Sequence, residues 1–416
     1  EKEGSFYTIK QLWSPVQIMN TSVDKQFDGK FSVENRYDFL NLNTCRFLWK
    51  QVKFPTATDA SNTTAQVLKQ GEVQGSDVAA HSAGVLDIKT TILPDADALF
   101  LTAIDRYGHE LWRWTFPVNK MNQANEVLSP LSNKVTSTET ENELTVKAKN
   151  HTFIFSKKDG QLKGVSVNNR KISFANGPRF IGARRADRSL DQFYNHDDEK
   201  AKEKDRTYSE FLDAAVFTKL DVKEDGGNLV VTANYKLGNL DKAQWTINPS
   251  GVATLDYTYN FSGVVDLMGI CFDYPEDQVV SKRWLGAGPY RVWQNRIHGT
   301  QYDIWENDYN DPIPGETFTY PEFKGYFGSV SWMNIRTKEG TISLTNETPD
   351  AYIGVYQPRD GRDRLLYTLP ESGISVLNVI PPVRNKVNST DLCGPSSQPK
   401  WVNGPQSGRI IFRFME

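Results

Sequence analysis

Alternation of apolar and polar residues at a period of two runs through almost the whole chain, and it constrains the fold most. In NLVVTANYKL, Leu229, Val231, Ala233, Tyr235 and Leu237 share one face. In GVATLDYTYNF, Ala253, Leu255, Tyr257, Tyr259 and Phe261 do the same. In SGRIIFRFM, Ile410, Phe412 and Phe414 alternate with Arg409, Ile411 and Arg413. Period two is the pattern of half-buried antiparallel strands, because successive side chains leave opposite faces of a sheet. Turn residues punctuate the runs at Asp159-Gly160, Asn168-Asn169, Gly226-Gly227 and Pro249-Ser250-Gly251. No segment carries a long period of 3.6. The charged stretch DDEKAKEKDR (Asp197 to Arg206) reads as a solvated loop. The expected fold class is all-β.

A polar stretch, NKMNQANEVLSPLSNKVTSTETEN, interrupts the pattern and marks a linker over residues 119–142. Before it, residues 1–118 hold short strands such as KFSVEN, CRFLWKQV, VLDIKTTIL, LFLTAI and ELWRWTF. That size and strand density fit an immunoglobulin-like β-sandwich. After it, residues 143–416 are nearly continuous strand, which calls for two large stacked sheets.

Composition excludes several functions. Lys+Arg number 48 against Asp+Glu 51, a net charge of −3, so there is no basic excess with which to neutralise a nucleic acid. No apolar run reaches the roughly 18 residues that span a bilayer. The chain opens on EKEG with no Met and no signal peptide, as expected of a trimmed or mature fragment. Cys45, Cys271 and Cys393 form no C-x-x-C pair and read as buried thiols.

Catalytic signatures are missing. There is no G-x-S-x-G, H-E-x-x-H, P-loop or G-x-G-x-x-G. GAGP (Gly286 to Pro289) is closed by a Pro and reads as a tight turn. His81, His109, His151, His196 and His298 lack ligand spacing and read as surface or loop residues. No metal and no cofactor is expected. Glu306, Asp308, Asp311, Glu316 and Glu322 cluster, and a glycosidase needs two carboxylates, but nothing singles out a pair.

Two stretches are dense in binding chemistry. Arg283 to Met333 mixes Trp284, Trp293, Trp305 and Trp332 with Arg, Asn, Asp and Glu. An aromatic face can take the apolar side of a sugar, and planar polar groups can take paired hydroxyls. The plain alternative is that most of these rings are core. TDLCGPSSQPKW (Thr390 to Trp401) reads as a Gly/Pro/Ser loop ending on an aromatic just before the last strand.

The chain resembles the C-terminal part of family 2 glycoside hydrolases of the β-galactosidase type. IKQLWSPVQI with ENRYDFLNL is similar to the start of the immunoglobulin-like domain that follows their catalytic barrel. NHTFIFSKKDGQLKGVSVNNRKI, NGPRFIGARRADRS and RWLGAGPYRVWQNRIHGTQYDIW are similar to successive strands of their last domain, a galactose-mutarotase-like β-supersandwich. The resemblance implies that the catalytic glutamates lie on a (β/α)8 barrel outside this sequence, so the chain alone is expected to be inactive. It also implies that Trp401 matches the aromatic a loop lends to the sugar site. The residues nominated for contact with sugar are Trp401, Arg185, Arg291, Trp293, Asn295, Trp305 and Glu322.

Departures from the family pattern leave the sugar open between galactose and another β-glycoside. Arg291 stands where a Glu is common. Phe323-Lys324-Gly325 replaces an Asn-Gly step, and Arg185-Ala186-Asp187 replaces Arg-Ala-Pro. The expected partners are a carbohydrate and the barrel of the parent chain, in a periplasmic or secreted protein. Two other readings stay open. One is an independent carbohydrate-binding module. The other is a supersandwich epimerase using His196, His298 and Glu322, or a lyase using Arg291, Asn295 and Tyr302.

Overall fold

The computed structural model describes residues 4–59, 64–118, 134–185, 208–211, 213–308, 325–355, 369–370, 372–382 and 393–416. These residues are overwhelmingly β-strand, and their sheets are antiparallel. The expected all-β fold class holds. One short helix, Gly4–Leu12, opens the described chain, a feature the period-two reading did not foresee. No helix among the described residues is long and apolar enough to cross a membrane.

The chain divides into two compact units. The first contains residues 1–125, Leu285–Tyr290 and Ile297–Trp305, and the second holds the rest. In the first, a three-stranded sheet (Val16–Ile18, Lys30–Asn35, Ser82–Asp87) accompanies a four-stranded one. The latter runs in the order Gln66–Gln74, Arg46–Lys53, Ala98–Ile104, Glu110–Pro117. Phe31, Val33, Phe47, Leu86, Leu99 and Leu101 are fully buried in one cluster with Cys45. Within the polar stretch expected as linker, residues 134–142 include a strand, Thr136–Glu139. It pairs with Glu143–Ala148, and all four of its residues are exposed. Residues 119–133 lie outside the described residues.

The second unit contains two large antiparallel sheets. One runs Tyr352–Val355, Ile374–Val379, Leu267–Asp273, Ala175–Arg185, Leu162–Val167, His151–Ser156, Glu143–Ala148, Thr136–Glu139. The other includes, in order, Val216–Asp225, Asn228–Lys236, Leu240–Ile247, Ala253–Val265, Lys400–Met415, Gly340–Asn346 and Trp332–Thr337. Their inward residues form an aromatic core. Phe174 stacks on Phe272 at 4.5 Å, and Trp245 lies edge-on to Phe155 at 6.2 Å and 5.9 Å from Phe412. Ala253, Leu255, Tyr257, Tyr259 and Phe261 are buried as their alternation requires.

The turns sit where the punctuation placed them. Asn168 and Asn169 have φ of 48° and 64°, and Gly226 and Gly227 have 58° and 90°. Paired positive φ values suit the tight hairpins that match strand twist.

Four expectations need correction. Leu237 is not on the inner face: it is 73% exposed, because the strand ends at Lys236 and Leu237 turns at φ 59°. His151 is not a surface residue. It lies in a strand, 9% exposed, with Nε2 2.8 Å from the Phe414 carbonyl. Gly286 to Gly288 are the end of the strand Val279–Gly288 rather than a turn, and the chain bends at Pro289 and Tyr290. The last strand starts at Lys400 and takes in Trp401, so this residue is not part of a loop. The stretch DDEKAKEKDR lies outside the described residues.

Candidate functional site

Burial of one small residue organises the segment around Arg291. Val292 is fully buried in an apolar cluster with Ile181, Ala183, Leu267, Cys271, Tyr326 and Leu377. Its backbone exchanges hydrogen bonds with Tyr326, at 2.7 and 2.9 Å. Anchoring Val292 fixes its neighbours. Arg291 is 4% exposed, and its guanidinium carbon sits 5.5 Å from the centre of the Phe327 ring, a cation–π distance. Trp293 is 9% exposed. Gly325, at φ 66°, closes over both: a Cβ there would lie 2.8 Å from Arg291 Cβ and from the Trp293 ring. Only glycine meets both demands at once.

The next two residues hold the loop before the last strand. Gln294 Nε2 donates to the carbonyls of Ser396 (2.9 Å) and Gln398 (2.7 Å). Asn295 Nδ2 donates to Ser397 Oγ at 2.9 Å. Inside the loop, Pro395–Ser397 makes one 3-10 turn, and Gln398 Nε2 donates to the Cys393 carbonyl at 2.9 Å. The structure thus joins Asn295 to the loop that leads into Trp401 four residues later.

Trp401 is 71% exposed and lies opposite Val264, itself 37% exposed. The sequence places it on a loop because Gly394, Pro395 and Pro399 in TDLCGPSSQPKW read as breakers and Trp401 closes that stretch. The strand begins one residue after Pro399, and Gly404, Pro405 and Gly408 lie within it. Pro405 is tolerated because the pairing of Gly340–Asn346 with this strand stops at Ile410, and among the described residues no strand pairs with that edge at Pro405. Gly408 is required because a Cβ would meet the Tyr257 hydroxyl at 2.3 Å.

The other nominated residues separate. Trp305 belongs to the first unit, half-buried, with its indole N–H near the carbonyls of Gly286 (3.2 Å) and Gln301 (3.1 Å). Arg185 closes the strand Ala175–Arg185 opposite Tyr208, and its side chain lies outside the described residues. Glu322 and His196 also lie outside them. His298 and Tyr302 fall in the first unit. There the His298 carbonyl accepts from Thr8 Oγ1 and Tyr290 Oη, and the Tyr302 ring packs 5.6 Å from Phe54.

Cys45, Cys271 and Cys393 form no disulfide. Cys45 and Cys271 are buried and Cys393 is partly exposed. Burial pushes the Cys271 thiol up to about 11, against the pull of the Arg179 guanidinium whose Nη2 lies 3.7 Å from Sγ. A thiol held neutral is no nucleophile. Among the described residues no His, Cys, Asp and Glu group is arranged to hold a metal ion.

Two clefts were not foreseen. One, of about 450 Å³ in the first unit, is lined by Leu48, Val67, Phe100, Arg113 and Asp303. Arg113 pairs with Asp303 at 2.9 Å and lies 4.9 Å over the Phe100 ring. The other, of about 360 Å³ in the second unit, is lined by Phe180, Phe211, Phe217, Tyr235 and Glu210. Their residues come from separate strands, so no local motif announces them.

These features define an all-β chain whose second unit offers an exposed indole, side-chain amides and a buried guanidinium, a chemistry of contact. Over residues 147–379, more than half its length, the sequence matches the family model of the beta galactosidase small chain, and the chain belongs to that family. No curated protein matches it. Among solved structures it is similar to galactose 1-epimerase from Lactobacillus acidophilus. The identity is 10%, 68% of this chain and 99% of that one are covered, and the TM-score is 0.35. A putative mutarotase from Salmonella typhimurium is similar at 8% identity, over 68% and 94% of the chains, with a TM-score of 0.29. These likenesses carry no part of the functional reading.

Proposed function

We propose that the chain is the non-catalytic C-terminal region of a family 2 glycoside hydrolase of the β-galactosidase type. In this reading its first unit is the immunoglobulin-like domain and its second the supersandwich. It binds carbohydrate and shapes the sugar site of a barrel elsewhere in the parent protein. The observation that carries this is Trp401. A Trp ring presents a broad, flat apolar face, and one left uncovered is available for a sugar ring to stack on. Here the ring is 71% exposed on a rigid strand, next to a loop tied down by Gln294 and Asn295. An indole face in that state is a stacking platform for the apolar side of a pyranose.

Arg291 and Trp293 flank the buried Val292 in the segment that also carries Gln294 and Asn295. That segment holds the loop. The substrate class is a β-glycoside, galactosides first. The test is turnover of an aryl β-galactoside by the purified chain. No hydrolysis above background is expected. Turnover that survives purification and vanishes on a point mutation within residues 1–416 would make the chain an enzyme in its own right.

A further inference from the structure

Trp401 does not stand alone on its face. Lys400–Met415 pairs with Ala253–Val265 in unbroken register from Phe412 opposite Ala253 to Lys400 opposite Val265. Alternate residues therefore form rungs on the outer face: Trp401 with Val264, Asn403 with Ser262, Pro405 with Asn260, Ser407 with Thr258, Arg409 with Asp256. Three rungs are closed by side-chain contacts. Ser262 Oγ lies 2.7 Å from Asn403 Oδ1, and Thr258 Oγ1 lies 3.2 Å from Ser407 Oγ. Arg409 grips Asp256 with Nε at 2.6 Å and Nη2 at 3.0 Å.

From Trp401 to Arg409 is eight residues, about 27 Å at roughly 3.4 Å each, the length of several linked pyranose rings. The outward residues of these two strands are neutral apart from one paired couple, Arg409 and Asp256, and Lys242 of the adjoining strand stands opposite Thr258 on the same face. Neutral amides and hydroxyls on a fixed pitch complement a neutral polyhydroxyl chain. They do not complement a polyanion or an anionic membrane, which need unpaired cations.

We infer that this two-stranded ribbon is a track for an extended, neutral β-linked glycan chain, with its leading sugar on Trp401 and the following ones along the rungs to Arg409. The inference rests on the reading of Trp401 as a sugar platform and extends it from one ring to a chain.

The test is calorimetric titration of the whole chain with linear β-1,4-linked galacto-, xylo- and gluco-oligosaccharides, from disaccharide to hexasaccharide. Affinity for at least one series is expected to rise with length. The double variant Thr258→Ala/Ser407→Ala, six residues or roughly 20 Å from Trp401, should weaken the hexasaccharide roughly fivefold or more and leave the disaccharide unchanged. Ser407 is exposed and Thr258 half-buried, and an unchanged melting temperature verifies the fold. Affinity that depends on Trp401 but not on length, or not on the double variant, overturns the track and leaves the proposed function standing. Binding that is indifferent to Trp401→Ala, or no binding in any series, overturns both.

Discussion

Replacing Trp401 by Ala should barely change the stability of the second unit, while the same change at Trp245 should cripple it. An indole can bury roughly 250 Å². With 71% of Trp401 exposed, about 70 Å² is covered. At about 25 cal/mol per Å² that is at most about 1.8 kcal/mol, and less against a compact unfolded chain. Trp245 is 1% exposed between Phe155, Phe272 and Phe412. Its truncation leaves a cavity, and about 3–5 kcal/mol is expected. Urea unfolding followed by circular dichroism on the purified variants gives both numbers, provided the slopes stay equal. A Trp401→Ala loss equal to that of Trp245→Ala would mean the ring is core, and the platform reading would fall.

Gly251→Ala should cost about 2–4 kcal/mol, read from the same unfolding curves. Its φ of 86° is left-handed, and a Cβ would meet His151 Nδ1 at 2.1 Å. Desolvation raises the Asp159 carboxyl, but Lys163 at 2.8 Å, the Gln161 N–H and Ser156 outweigh it, so the net shift is downward. A depressed carboxylate contributes stability above its unfolded value and loses it as pH falls through the folded one. Asp159→Asn should therefore destabilise at pH 7, and the difference should vanish in acid, below the ordinary range of an Asp. A difference that persists there would show a packing effect instead. Thiol labelling of the native chain at pH 8 should modify Cys393 first, with Cys45 and Cys271 reacting only on unfolding. Fast labelling of Cys271 would contradict its burial beside Arg179.

The fold was legible wherever one face of a strand is large and apolar. Leu255, Tyr257 and Tyr259 announce their strand because the core demands bulk at every second position. Residues 400–409 hid theirs, since the half-buried face is Val402, Gly404, Gln406 and Gly408. Close packing on Tyr257 selects Gly408, and a glycine in sequence reads as a turn. His151 was misplaced for a related reason. Its partner, the Phe414 carbonyl, is 263 positions away, and nothing local reports such a bond. The helix Gly4–Leu12 escaped because it is short and none of its residues is buried. At the site, residue types were legible but neighbours were not. Arg291 and Trp293 looked like contact residues, and the structure buries them. Gln294, not singled out, makes two of the bonds that hold the loop, beside the one from Asn295.

The central claim is that the Trp401 indole is held for a sugar bound by a catalytic barrel of the parent protein. The most direct test is the affinity of that full-length enzyme for a β-galactoside, wild type against Trp401→Ala. The account predicts weaker binding by roughly 1–3 kcal/mol, the usual result of removing one aromatic anchor, with unfolding of this region little changed. Unchanged substrate affinity, together with a large loss of stability in this region, would contradict it.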